Sequence, residues 1–591
     1  MNPILQSETA TPKQAQFPIY NPATQEVIGT LPNFNLEQVA SAAHRASGAQ
    51  RQWAAMPVRD RLKVLKRFGQ LLCDQKEKVA AVISREAGKP EAEALSTEIL
   101  VVLDTVKYLS DYAPQFLLPE AVPHGNPAMK LKRGRLLREP YGVIGIISPW
   151  NYPFSVPSVQ TLTALATGNG VVLKPSEFTP YSSLELQRLL MEAGLDRDLL
   201  QVVTGDGSAG AALLNARIQK IVFTGSVATG KRVAQTAAGR LLPVVLELGG
   251  KDPMIVLEDA DVEVASSAAV WGAFVNAGQA CLSVERCYVH ERIYEKFLEE
   301  CVEKTKRLRV GSSQAQPGTV GIDCAPQAST HERKAQARVP VPQNQGRSST
   351  AEAPPPQEHA KAARPGDPAA VPHDSRDSEI DMGPMIHQRQ LQIVEAHVKD
   401  AIGRGARLLA GGKRLPELGP NFFAPTILAD VDHSMTVMRE ETFGPVLPVR
   451  SFKTEDEAIA LANDSEFGLA ASIFTGNRKR GEELARRIDA GTVMVNDVVA
   501  CFGISEAPHG GVKASGIGRT HGRFGLEEMV WPKYVDSDRL PRMKKLWWYG
   551  YGPAFAQQMS GFVEMLFARK LTKRMRGALK STQSYLRRRL L

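Results

Sequence analysis

The stretch EPYGVIGIISPWNYP, residues 139–153, changes the texture of the chain. Before it, from about residue 36 to 118, segments such as RDRLKVLKRFGQLLCDQKEKVAAVISREAG repeat apolar residues at helical spacing. From it onward, short apolar runs alternate with helical patterns: YGVIGIIS, GVVLKP, LLQVVTG, KIVFTGS and VVLELGG. Runs this short, without polar alternation, read as strands buried on both faces, and each leads through a glycine or serine turn into a helix. That alternation predicts an α/β fold with a doubly wound parallel sheet. A second α/β stretch follows from Asp252 to roughly Lys513.

With 591 residues the chain exceeds one core and predicts two to four domains. The six cysteines are scattered, with no C-x-x-C pair and no His/Cys cluster at zinc spacing. That predicts a reducing compartment, here the cytoplasm, and no metal. The first twenty residues hold no apolar core of signal-peptide length, and the first arginine is Arg45, so neither secretion nor a transit peptide is expected.

The net charge of +9 is unevenly placed. From residue 541 to 591 there are 12 Lys and Arg against one acid, Glu564, whereas the other 540 residues carry 60 basic and 62 acidic groups. A near-neutral body excludes nucleic-acid binding and leaves the tail as the anomaly. Between Gly311 and Ser378 lie ten prolines and no Phe, Trp or Tyr. Such a segment cannot bury enough apolar surface to offset ordering, and it reads as a disordered insertion over 312–378.

Several polar residues sit where strands end. SPWNYP places Asn151, VVLKPSEFTP places Lys174 and Glu177, IVFTGSVATG places Gly225 and Ser226, and VVLELGGKDP places Glu247. Cys281, in GQAC, comes 34 residues after Glu247. Ligands bind at the carboxyl ends of strands in open parallel sheets, so these groups are expected in one crevice. A thiol, a carboxylate and an amide gathered there are the ingredients of acyl-thioester chemistry. TGDGSAG spells G-x-G-x-x-G from Gly205 to Gly210, a dinucleotide fingerprint if taken alone.

Together with NPATQEVIGTLP, EETFGPVLPV and APHGGVKASGIGR, these stretches resemble the NAD(P)-dependent aldehyde dehydrogenase superfamily. The likeness runs over about residues 18–311 and 379–540. It implies an NAD-binding domain from 18–121 and 141–249, and a catalytic domain from 250–311 and 379–513. Oligomerisation elements at 122–140 and 528–538 would form a small hairpin, implying a homodimer or tetramer.

The same resemblance assigns roles. Cys281 would attack the aldehyde as thiolate, the Asn151 amide would stabilise the oxyanion, and Glu247 would activate the water that hydrolyses the thioester. Trp150, Lys174, Glu177, Gly225, Ser226, Glu441 and Phe443 would contact the cofactor. A carboxylate at Glu177 accepts from ribose hydroxyls and repels a 2′-phosphate, which favours NAD over NADP. The phosphates would lie by Gly225 and Ser226, which makes Gly205 a turn glycine. His509 departs from the family's usual phenylalanine near the substrate entrance. The same-fold alternative is a CoA-acylating enzyme, disfavoured by Glu247; the other is a non-catalytic scaffold at the membrane surface.

Residues 546–568 lack Lys and Arg and could span a bilayer by length, but Pro553, Gln557, Gln558, Ser560 and Glu564 argue against it. Trp547, Trp548, Tyr549 and Tyr551 suit a headgroup zone. Met559, Phe562, Leu566, Met575, Leu579, Leu586 and Leu590 recur at roughly helical spacing among basic residues. The 541–591 extension therefore reads as a basic amphipathic membrane-surface element, and the resemblance to fatty-aldehyde members implies medium- or long-chain aldehydes.

Overall fold

The computed structural model describes residues 15–126, 129–312, 380–542, 545, 548, 549 and 551–590. All but one residue of the 312–378 insertion lies outside them. The chain divides into two compact units: residues 1–118 with 138–533, and residues 119–137 with 534–591.

The first unit begins with the antiparallel hairpin β1 (Gln16–Tyr20) and β2 (Val27–Pro32). A helical layer follows. Its first helix, Leu36–Ala55, is opened by a capping box in which Asn35 accepts from the Gln38 N–H and the Gln38 side chain accepts from the Asn35 N–H. The predicted strands then form in order as β5 (Val143–Ile147), β6 (Gly170–Lys174), β7 (Leu200–Val202), β8 (Lys220–Thr224) and β9 (Val244–Glu247). With β17 (Gly516–Ile517) they make one sheet in the order β17-β9-β8-β5-β6-β7. All neighbours are parallel except β17, which runs antiparallel to β9.

The order reverses at β5. The chain builds outward through β6 and β7, then returns to lay β8 and β9 on the other side. Such a reversal opens a crevice beyond the strand ends, between β5 and β8. The helix Ser155–Ala166 that leaves β5 is buried at every residue. Its first turn is held by Glu98, whose Oε2 accepts from the N–H groups of Phe154 and Ser155, both at 2.8 Å. An anionic cap at that end also suits the helix dipole.

A second sheet contains β10 (Asp252–Val256), β11 (Val284–His290), β12 (Arg407–Ala410), β13 (Thr426–Ala429), β14 (Val446–Phe452), β15 (Ala470–Phe474) and β16 (Thr492–Val495). Their order is β12-β13-β14-β11-β10-β15-β16, antiparallel only at β12. It is the doubly wound pattern again, reversing at β10, and the α/β expectation holds for both sheets.

The second unit holds β3 (Glu120–Val122) in a three-stranded sheet of order β18-β4-β3, with β4 (Lys132–Pro140) and β18 (Val530–Asp538). Its tail folds into two packed helices, Pro553–Phe567 and Leu571–Leu590. They meet at Gly561 and Gly577, where a Cβ on Gly561 would lie 2.6 Å from the Gly577 carbonyl oxygen. Gln558, Ser581 and Ser584 are buried, whereas Val563, Phe567, Leu571, Met575 and Leu579 are exposed. The hairpin is thus built inside out, small and polar within and apolar without. Among the described residues, no helix is long and apolar enough to cross a membrane. Trp547 and the side chains of Leu586 and Leu590 lie outside the described residues.

Candidate active site

The setting of Cys281 starts one turn upstream. The helix Val262–Phe274 runs into Asn276, Ala277 and Gly278, all left-handed with φ of 53°, 54° and 70°. Such backbone costs a non-glycine residue about 1–3 kcal/mol and persists only where packing enforces it. Gly278 has no alternative, because a Cβ there would sit 2.1 Å from the Gly444 carbonyl oxygen. The turn delivers Cys281 to the wall of a cavity of about 550 Å³.

Asn151 reaches the same wall from the end of β5. Its Nδ2 donates to the Gln279 carbonyl at 3.0 Å, which ties the amide to the segment carrying Cys281. The Asn151 carbonyl accepts from Asn276 Nδ2 and from Lys89 Nζ, each at 2.8 Å. Lys89 is itself buried and paired with Glu98 at 2.8 Å, the residue that caps the helix beyond Asn151. A buried pair of this kind holds position more than it adds stability. Here it fixes the one loop whose amide faces the thiol segment.

Glu247 ends β9 and is almost fully buried. Its Oε1 accepts from Thr520 Oγ1 at 3.3 Å, and its Oε2 lies 3.7 Å from His509 Nε2. Burial pushes its carboxyl up to about 8, against smaller downward pulls from Thr520 and Arg519. Burial, then the nearby carboxylates Asp252, Glu247 and Glu441, also hold the Cys281 thiol well above its ordinary range. The sulfur therefore favours the thiol form.

The opposite wall is formed by the EETFGP loop. Glu441 accepts from the Gly250 N–H at 3.0 Å, and Phe443 stacks edge-on against Trp150 at 5.4 Å. Behind the loop, Glu285 accepts from the N–H groups of Thr442 and Phe443 at 2.8 and 2.9 Å and pairs with buried Lys251 at 2.5 Å. Ser226 caps the helix Val227–Ala238 after β8, leaving that helix's N-terminal N–H groups beside Gly225. Lys174 pairs with Glu177 at 3.2 Å at the end of β6.

A nicotinamide dinucleotide fits these residues. The helix end offers donors to a pyrophosphate, Gly225 carries no Cβ to obstruct it (one would lie 2.8 Å from the Phe223 ring), and Glu177 is partly exposed, with a carboxylate able to accept from a ribose.

One cavity thus gathers Trp150, Asn151, Gly225, Ser226, Glu247, Cys281, Glu441 and Phe443. Lys174 and Glu177 do not line it; Lys174 ends the neighbouring strand, in register with Ile147 of β5, and Glu177 follows in the turn beyond it. The Gly205 fingerprint stands apart, in a turn with φ of 144° where a Cβ would strike Asn33. Sequence reasoning missed Lys89, Glu98, Asn276, Lys251, Glu285 and Thr520. Only Asn276 carried a signal, as a residue tolerant of left-handed backbone two positions before a glycine.

The family model described as the aldehyde dehydrogenase family matches residues 9–340 and 357–535. A 4,4′-diapolycopene aldehyde oxidase of Methylomonas sp. is 36% identical over 93% of this chain and 90% of its own. A putative NADP⁺ succinate-semialdehyde dehydrogenase of Mycolicibacterium smegmatis is 34% identical over 88% and 89%. An NAD⁺ complex of a Bacillus cereus aldehyde dehydrogenase superposes with a TM-score of 0.75 at 31% identity, covering 89% of this chain and 93% of that one.

Proposed function

The chain belongs to the aldehyde dehydrogenase family, and from that premise we propose that it oxidises an apolar, medium- or long-chain aldehyde to its carboxylic acid with NAD. The observation that carries this reading is the shared cavity, in which Cys281, Asn151 and Glu247 face one space.

The Cys281 sulfur bonds to the aldehyde carbon as its thiol proton leaves through the cavity to solvent. The Asn151 amide and the Cys281 N–H stabilise the oxygen as it gains charge. A nicotinamide dinucleotide held by Gly225, Ser226, Lys174 and Glu177 supplies the two-electron acceptor. Cys281 is left carrying a thioester. Glu247 then takes a proton from the water that adds to this thioester and gives it to the departing sulfur as the acid leaves, which restores both the thiol and the carboxylate. The Glu177 carboxylate supports NAD over the 2′-phosphorylated form.

The apolar substrate is supported by the cavity lining, to which Val101, Trp271, Leu282, Leu469, Val499 and Phe502 contribute along with Cys281. NADH formation measured across straight-chain aldehydes tests it. Each added methylene should raise kcat/KM by about 0.8 kcal/mol, roughly fourfold, until the cavity is filled. A flat or falling series would overturn the apolar assignment.

Two associations belong to this reading. β18 is a sheet-edge strand of nine residues with exposed Trp531, Tyr534 and Val535, an edge that proteins seldom leave bare, which supports a homodimer or tetramer. The apolar outer face of the tail hairpin, set among the tail's 12 basic residues, supports contact with an anionic bilayer surface. One variant separates them. The chain ended after Asp538 should remain an oligomer by light scattering yet no longer sediment with phosphatidylserine vesicles. Unchanged sedimentation would reject the membrane contact, and a monomeric full-length chain would reject the assembly.

A further inference from the structure

Phe443 is held at φ of 50°, in the left-handed region. Such backbone costs a bulky residue about 1–3 kcal/mol and persists only where the surroundings enforce it. In the EETFGP loop the enforcement comes from side chains. The N–H groups of Thr442 and Phe443 donate to the two oxygens of Glu285, at 2.8 and 2.9 Å. Their carbonyls accept from Gln390 Nε2, at 2.9 and 3.3 Å. All four polar main-chain atoms of these two residues are thus gripped by two side chains from other segments.

Glu285 is the second residue of β11, four positions after Cys281. One carboxylate therefore ties the loop to the segment that carries the thiol. Lys251 completes the joint. Its Nζ pairs with Glu285 and donates to Thr442 Oγ1 at 3.1 Å, and that hydroxyl also meets His397 Nδ1 at 3.2 Å. Glu285 and Lys251 are buried, and neither lines the cavity. A buried ion pair adds little stability over well-packed apolar residues, so what this one supplies is orientation.

We propose that Glu285, braced by Lys251, is a positioning residue that presents Phe443 and Glu441 to the nicotinamide half of the dinucleotide and leaves the reactivity of the thiol alone. The proposal rests on the NAD-dependent reading above. Phe443 and Glu441 both line the cavity. The clamped peptides join them, so a tilt of those peptides turns both side chains. The charge matters more than the shape, because both Glu285 oxygens accept. An amide would set its NH2 against one of the two N–H donors, and that unpaired donor would push the loop away.

The test uses two variants of the full chain. Glu285→Gln leaves Lys251 without its counter-charge, and the double variant Glu285→Gln with Lys251→Met removes both charges. In each, NADH formed from decanal in the first turnover should slow about 100-fold, the scale for a reacting group misplaced by an ångström. Emission of bound NADH, which reports how its reduced ring is confined, should fall toward that of free NADH. ADP-ribose, which lacks the nicotinamide, should bind within about twofold of wild type. The nitrophenol burst from p-nitrophenyl acetate, which acylates a reactive thiol without cofactor, should stay in the same range. Wild-type first-turnover rate and bound-NADH emission in the double variant would overturn the clamp. Matching losses in ADP-ribose binding or in the burst would make Glu285 merely structural and overturn it too. No NADH from the wild-type chain with decanal would instead reject the substrate reading, and the emission and ADP-ribose measurements would still decide the clamp.

Discussion

Cys281→Ala will abolish aldehyde-dependent NADH formation, with a loss of about 10⁶-fold, the scale seen when a covalent nucleophile is removed. The reason is local. The cavity's other cysteine neighbour, Cys501, is buried, and burial pushes its thiol up to about 12. Cys287 and Cys301 lie in the core of the second sheet. None of these three can replace the missing sulfur. Dinucleotide binding, followed by fluorescence quenching, should survive, because Gly225, Ser226, Lys174 and Glu177 are untouched. Turnover within about tenfold of wild type would remove Cys281 from the mechanism.

Glu247→Gln should show the opposite half of the reaction. One NADH per active site should form in a burst, followed by steady turnover about 10²- to 10⁴-fold slower than wild type. The pH dependence follows from the carboxyl held at about 8. The base works only when deprotonated, so wild-type acyl-enzyme decay should climb about tenfold per pH unit below pH 8 and level off above it. The amide cannot titrate, and its slow decay should be flat over that range. Stopped-flow absorbance across pH reads both features, and a variant with the wild-type slope would show that another group titrates.

The sheets and most of the residues that line the cavity were legible because they rest on local patterns. Short apolar runs ending in glycine or serine turns marked β5, β6, β8 and β9, and chemistry-bearing residues followed each run. What stayed hidden depends on contacts between distant segments. Lys89 and Glu98 sit in an otherwise ordinary amphipathic helical stretch, and only the fold turns them toward the back of the Asn151 loop. Lys251 and Glu285 are 34 residues apart and meet beneath the EETFGP loop. His509 was noticed as a departure, but its proximity to Glu247 required the bridge to Thr520 that brings residues 247 and 520 together. The antiparallel β17, two residues long, is too short to leave a periodic trace. The inverted packing of the tail hairpin was not read either, since Gly561 and Gly577 acquire meaning only as a pair.

The contact between Gly278 and the Gly444 carbonyl interlocks main chain with main chain, like tongue and groove. One side of that joint carries the sulfur and the other carries Phe443 and Glu441. Their spacing is consequently set by peptide groups and not by the side chains lining the cavity. Substitution of those lining residues can therefore drift and reshape what is admitted, while the separation between the thiol and the EETFGP loop stays in gauge.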